Sequence, residues 1–219
     1  PDPDLEAILK EAGRTPAVIG TIDYRYGGKS FPSQNTTPES VDLQGLLAEM
    51  ASKGTTDCVM EVSSHALAMG RVREIHFDVG AFTNLSQDHL DFHKDLEDYF
   101  QAKLRLFTEC LPESRKNEKY AVLNMEDPRS ESIDALLKNG SIPAIRTGLT
   151  GPYEISCRSF QLSETGITAL LATGRDTFPV ESDLLGQFNL ENILLAVGVA
   201  QSLGIDSEEI GRGIKKVKA

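Results

Sequence analysis

The feature that most constrains this chain is a change of pattern near Gly148. Before it, short apolar runs alternate with helical periodicity. Ala17-Val18-Ile19-Gly20-Thr21 reads as a strand, and Val41 to Lys53 follows as a helix with Leu43, Leu46, Leu47 and Met50 on one stripe. Asp57 to Val62, Val79 to Thr83, Tyr120 to Asn124 and Ala144 to Arg146 read as further strands, with a helix over Leu96 to Phe107. Strands separated by helices predict an α/β fold, a mostly parallel sheet flanked by helices on both faces. Beyond Gly148, Tyr153 to Leu162, Ile167 to Ala172 and Thr177 to Val180 are short and β-rich, with turns between them. They predict a small antiparallel β subdomain near residues 153–181. Asn189 to Leu203 and Ser207 to Lys215 read as closing helices, and Leu5 to Ala12 as the end of a helix stopped by Gly13.

Charge and cysteine content exclude several functions. The 219 residues hold 22 Lys and Arg against 33 Asp and Glu, a net charge of −11. A duplex-binding surface needs clustered cations to displace counterions, so no nucleic-acid partner is expected. A small anionic substrate stays open, because a bound metal inverts the local charge. Cys58, Cys110 and Cys157 are too few and too scattered for a disulfide scaffold or a cysteine zinc finger, and fit a reducing compartment. No apolar run approaches the roughly 18 residues of a membrane span. The start, Pro1-Asp2-Pro3-Asp4, is unlike a signal peptide. A cytoplasmic monomer with no membrane partner is expected.

In open parallel sheets, ligands bind beyond the carboxyl ends of the strands, and polar clusters fall at such places here. Asn35-Thr36-Thr37-Pro38-Glu39 reads either as a helix start, with Thr37 as N-cap and Pro38 as first helical residue, or as an anion site of hydroxyls and free N–H groups. Glu61 ends an apolar run, where a carboxylate needs a partner or a cation. In Ser63-Ser64-His65 either serine fits a helix cap, and the lack of a G-x-S-x-G elbow argues against a nucleophile. Asp88, His89, Asp91 and His93 lie within six residues, either a capped polar loop or a divalent-metal site. No Glu follows His89, which disfavours an H-E-x-x-H zinc pair. Lys103 reads as an ordinary helix lysine. Gly27-Gly28-Lys29-Ser30 ends like a phosphate loop, but Asp23 stands where that motif needs glycine, so it reads as a turn.

Taken in order, Asn35-Thr36-Thr37-Pro38, Met60 to Leu67 with Gly70-Arg71-Val72, Phe82 to Leu85 with Asp88 to His93, Ala102-Lys103 with Leu106-Phe107, Leu123-Asn124 with Asp127-Pro128, and Gly186 to Asn192 resemble the central domain of the Mur ligases. The likeness is strongest to the branch that adds a diamino acid, diaminopimelate above all, to UDP-N-acetylmuramoyl-L-alanyl-D-glutamate. It implies an ATP-dependent amide ligase of peptidoglycan synthesis: ATP phosphorylates the substrate carboxylate, and an amine then attacks the acyl phosphate. By the same resemblance, Glu61, His89 and Lys103 match Mg²⁺ ligands, Lys103 in carbamylated form, with Lys103 and His89 the catalytic pair. Asn35, Thr36, Thr37, Ser63 and Arg71 match positions that hold the UDP-muramoyl dipeptide. Asn189, Asn192 and Asp127 match the ATP pocket. Some family members carry Gln two places before the arginine, where this chain has Met69.

The family's Gly-x-x-Gly-Lys-Thr phosphate loop, expected just before Leu5, is absent from these 219 residues. Residues 1–219 are therefore expected to be a central ATP-binding domain truncated before that loop. The N-terminal UDP-binding and C-terminal ligase domains would be absent, and the piece inactive alone. The alternatives are another Mur or folylpolyglutamate-type ligase, a metal-dependent hydrolase using His89, His93, Glu61 and Lys103, and a non-catalytic binding remnant.

Overall fold

The computed structural model describes residues 3–85 and 93–218. In chain order its elements are α1 (Pro3–Glu11), β1 (Pro16–Ile19), β2 (Asp23–Tyr26), β3 (Lys29–Pro32), α2 (Ser40–Ser52), β4 (Asp57–Met60), α3 (Ser64–Ala68), β5 (Val79–Phe82) and α4 (Leu96–Arg105). A π-helical turn (Leu106–Cys110) and α5 (Leu111–Glu113) prolong α4. Then come β6 (Tyr120–Asn124), α6 (Arg129–Leu137), β7 (Ala144–Gly148), β8 (Ile155–Ser163), β9 (Gly166–Ala172), β10 (Thr177–Ser182), α7 (Gln187–Ser202) and α8 (Ser207–Lys215). They form two compact units. One comprises Arg14–Asp78 and Leu85–Lys119; the other comprises Asp2–Gly13, Val79–Asn84 and Tyr120–Ala219.

The first unit holds a four-stranded sheet in the order β3-β2-β1-β4. β1 is fully buried and runs parallel to β4, with Ile19 opposite Met60. The Gly27-Gly28 turn joins β2 and β3. Both glycines have positive φ, 57° and 74°, the requirement of a two-residue hairpin whose twist matches its strands. This bears out the reading of that segment as a turn and adds two strands that the apolar pattern did not reveal. Both are polar in sequence, and β3 forms one edge of the sheet.

The second unit holds a six-stranded sheet, β10-β9-β8-β7-β6-β5. β5 through β8 run parallel, and β8, β9 and β10 are antiparallel. The antiparallel strands anticipated after Gly148 thus continue the same sheet, joined where Thr147 of β7 pairs with Ile155 of β8. β10 alternates strictly, with Phe178, Val180 and Ser182 buried. α7 has a wide apolar surface, and Ile193, Leu194, Ala196 and Val197 are almost wholly buried. In each sheet antiparallel pairing lies on one side (β3-β2-β1 and β10-β9-β8) and parallel pairing on the other (β1-β4 and β8-β7-β6-β5), consistent with a mixed α/β class.

Thr37 departs from its expected role. The helix begins at Ser40 with Glu39 as N-cap, and no side chain caps it. The Thr37 hydroxyl is committed elsewhere, to the backbone beyond β4. No described helix is long and apolar enough to cross a membrane. Cys110 and Cys157 are buried. Burial pushes the Cys157 thiol up to about 11, with the Glu126 carboxylate adding to the effect. An unfolded thiol ionises near ~8.5, so stability from this group is present below that pH and is lost as pH rises toward 11. At pH 8 the native chain is expected to leave Cys157 unmodified by a disulfide reagent, whereas the denatured chain reacts there at once; peptide mapping reads the difference.

Candidate functional site

The site of the first unit grows from the carboxyl ends of its two parallel strands. The ladder runs one residue past β4, where the Glu61 N–H donates to the Ile19 carbonyl at 2.9 Å. That fixes Glu61 opposite the bend after β1. There the Thr21 N–H donates to Glu61 Oε2 at 3.0 Å, and the Thr21 hydroxyl donates to the same oxygen. The half-buried carboxylate thus has the partner its position demands. Thr21 Oγ1 in turn lies 3.0 Å from Thr36 Oγ1.

Thr37, 1% exposed, is the hinge of the cluster. Its hydroxyl donates to the Glu61 carbonyl at 2.8 Å and accepts from the Ser63 N–H at 3.0 Å. Ser63 caps α3, its hydroxyl accepting from the Ala66 N–H at 3.2 Å. Arg71 closes the ring: Nη1 donates to the Thr37 carbonyl at 3.1 Å, and Nη2 lies 2.5 Å from a Glu39 carboxylate oxygen. Nη2 also reaches the Met69 sulfur at 3.4 Å, so Met69 stands against the guanidinium where some family members have glutamine. Arg71 Nε is buried with no hydrogen-bond partner among the described residues. A buried orphan donor beside backbone turns and hydroxyls suits an anionic ligand. Asn35 adjoins this cluster in sequence, and its carbonyl accepts from the Tyr24 and Ser33 hydroxyls.

Replacing Thr37 by valine removes one hydroxyl and strands two backbone groups, the Glu61 carbonyl and the Ser63 N–H. The expected cost is about 2–3 kcal/mol of stability, read as a lower urea midpoint with unchanged slope.

Lys103 lies on α4 one turn after Tyr99, with its amine 5.2 Å from the centre of the Tyr99 ring. His93 is 3% exposed; its Nε2 lies 2.8 Å from Ser64 Oγ and its Nδ1 3.4 Å from Asp98 Oδ2. His89 and the acidic residues beside it lie outside the described residues. Among the described residues, no three His, Cys, Asp or Glu side chains assemble as a metal shell.

The other expected residues belong to the second unit. Asp127 Oδ1 accepts from the Arg129 N–H at 2.8 Å and starts α6. The Asn189 amide donates to the Leu185 carbonyl at 2.7 Å, and half-buried Asn192 lies one turn further along α7. Nearby, buried Asn124 donates to the Thr83 carbonyl and to Glu191, tying the ends of β5 and β6 to α7. Residue types and spacing did not single out Thr21, Asn124 or Glu191. The only signal was position: Thr21 and Asn124 stand at strand ends, where ligand-facing groups collect.

Threonine hydroxyls and an arginine gathered at the carboxyl ends of the parallel pair β1–β4 define a class of α/β domains with a polar cluster at their strand ends. Within that class the chain belongs to the Mur ligase family: residues 5–200 match the model of the Mur ligase middle domain. It is 44% identical over 212 residues to the UDP-N-acetylmuramoyl-L-alanyl-D-glutamate--2,6-diaminopimelate ligase of Geobacter metallireducens, covering 96% of this chain and 41% of that protein. The enzyme of the same name from Geobacter sulfurreducens is 43% identical, with the same coverage. A solved structure of a ligase so named superposes with a TM-score of 0.84 at 29% identity, covering 99% of this chain and 44% of its own. The chain therefore spans about 41% of the length of the curated relatives it matches.

Proposed function

We propose that this chain is the middle portion of a MurE-type ligase, which joins a diamino acid, diaminopimelate in the first instance, to UDP-N-acetylmuramoyl-L-alanyl-D-glutamate at the expense of ATP. One observation carries the reading: Thr36, Thr37, Glu61, Ser63 and Arg71, distant in sequence, share one hydrogen-bonded cluster at the carboxyl ends of β1 and β4. The names of the relatives support it.

In this reading the hydroxyls of Thr36 and Ser63 and the guanidinium of Arg71 grip the anionic muramoyl dipeptide. Arg71 is pre-oriented by its contacts with Thr37 and Glu39. Asn35 shapes the approach. Asp127, Asn189 and Asn192 of the second unit bind ATP. A Mg²⁺ ion keeps most of its waters and needs only one or two protein carboxylates plus substrate phosphates. The hard oxygens of Glu61 fit that role, with His89 as a second ligand. Lys103 joins them only as a carbamate, because an ammonium has no lone pair to give. When bound, the ion supplies charge neutralisation for the transferred phosphoryl group. The setting is the cytoplasm, where the nucleotide-linked precursor and ATP are both at hand.

The test is a binding and turnover assay on the 219-residue chain. The expected result is saturable binding of the UDP-muramoyl dipeptide without ADP release, because no Gly-x-x-Gly-Lys-Thr occurs in these residues to hold the ATP phosphates. Turnover at the rate of an intact ligase contradicts the domain reading; absence of binding contradicts the substrate reading.

A further inference from the structure

Hydrogen bonds have a direction, and at the ends of β1 and β4 the hydroxyl protons can be counted. The oxygens of Glu61, Thr21 and Thr36 form a chain: Thr21 Oγ1 meets Glu61 Oε2 on one side and lies 3.0 Å from Thr36 Oγ1 on the other. Each of these two contacts needs one proton. A carboxylate brings none and only accepts, while each hydroxyl brings one. The Thr21 proton therefore goes to Glu61, and the Thr36 proton goes to Thr21. This order holds whether or not Glu61 also meets a cation or further donors, because those leave a carboxylate an acceptor.

The consequence is a fixed polarity at half-buried Thr36. Its one proton is spent inside the cluster, so what remains for a ligand is its lone pairs. Its neighbours differ. The Thr37 hydroxyl has both roles filled, donating to the Glu61 carbonyl and accepting from the Ser63 N–H. The Ser63 hydroxyl accepts from the Ala66 N–H, and its own proton meets no acceptor among the described residues. Arg71 carries donors only. Thr36 is thus the acceptor in a cluster whose other ligand-facing groups donate.

We propose that Thr21 is a positioning residue that makes Thr36 a hydrogen-bond acceptor, and that Thr36 meets an amide N–H of the ligand's dipeptide rather than a phosphate or carboxylate oxygen. The identity of the donor rests on the proposed ligase reading, which puts the reacting carboxylate beside Glu61. Thr36 stands two hydrogen bonds from Glu61, and the ligand donors close to that carboxylate are the peptide N–H groups. The role of Thr21 does not depend on that reading. Thr21 follows the fully buried β1, and its backbone N–H donates to the same Glu61 oxygen at 3.0 Å. Hydrogen bonds in a chain polarise one another, so a hydroxyl that donates into a carboxylate-ended chain is the stronger acceptor.

Two measurements on the 219-residue chain test this. In the free chain, three-bond NMR couplings to the Thr36 γ-methyl carbon are expected to report one χ1 rotamer. Thr21→Val keeps the backbone N–H and the side-chain shape but removes the hydroxyl, and is expected to give averaged couplings; Thr21→Ser restores the single rotamer. If Thr21→Val does not fold, Thr21→Ala is read in the same way. In calorimetric titration with the UDP-muramoyl dipeptide, Thr21→Val and Thr36→Val are each expected to weaken binding about fivefold to tenfold. The double variant is expected to lose no more than Thr36→Val alone, because Thr21 acts through Thr36. In the complex, hydrogen exchange of at least one peptide N–H of the ligand is expected to slow, and either variant removes that protection. A folded Thr21→Val chain with an unchanged Thr36 rotamer overturns the proposal, and so do additive losses in the double variant. A bound ligand with no protected peptide N–H overturns the donor assignment. Absence of binding to the unaltered chain overturns the ligase reading and the donor assignment together, while the rotamer result still judges Thr21.

Discussion

Arg71→Ala is expected to weaken binding of UDP-N-acetylmuramoyl-L-alanyl-D-glutamate on the order of a hundredfold, about 2–3 kcal/mol, while the chain stays folded. The guanidinium side chain is 15% exposed and held by the Thr37 carbonyl, Glu39 and the Met69 sulfur. Truncation removes the orphan Nε donor and also leaves the Thr37 carbonyl without its donor. Arg71→Lys is expected to recover little, because an ammonium cannot reproduce a planar fork engaged on several sides. Calorimetric titration checks both. An unchanged dissociation constant in Arg71→Ala removes Arg71 from the ligand site.

The second large effect is structural. Gly213 lies in α8 where that helix crosses α1, and a methyl group there would sit 2.5 Å from Ile8 Cα and 2.8 Å from Ile8 N. These are backbone atoms of a neighbouring helix and cannot swing aside. Gly213→Ala improves helix propensity, a gain of about 1 kcal/mol, but must push two packed helices apart. Ile8 and Ile214, both fully buried in the same region, lose contact as the helices separate. The net loss is expected to be about 3 kcal/mol, a fall in melting temperature of about 6–12 °C for a chain of this length. An unchanged melting temperature would show that α1 does not dock on α8.

Elements with a strong period were legible in the sequence. β1, α2, β5, β6, α7 and α8 fall within a few residues of their apolar patterns, because each buries a continuous stripe or run. The hairpin β2–β3 was not, since Asp23-Tyr24-Arg25-Tyr26 offers no apolar face and its pairing comes from the glycine turn. Nor was α6, a helix with few buried anchors, chiefly Ile133 and Leu137, begun by Asp127. The site was legible as clusters, but the wiring was not. Thr37 looked like a helix cap, because a threonine before proline and an acidic residue fits that role locally. Its actual partners, Glu61 and Ser63, are 24 and 26 residues away, beyond a strand of the same sheet, and come into reach through long-range pairing rather than local sequence. His93 looked like a candidate metal ligand from its neighbours in sequence, whereas its two nitrogens face Ser64 and Asp98.

The most direct test of the central claim, that the cluster of Thr36, Thr37, Ser63 and Arg71 is where the UDP-muramoyl dipeptide docks, is an amide NMR titration of the 219-residue chain with that ligand. The expected result is a set of saturating shifts centred on residues 35–39, 61–66 and 69–72, abolished in Arg71→Ala. Shifts centred elsewhere, or none at all at millimolar ligand, would contradict it.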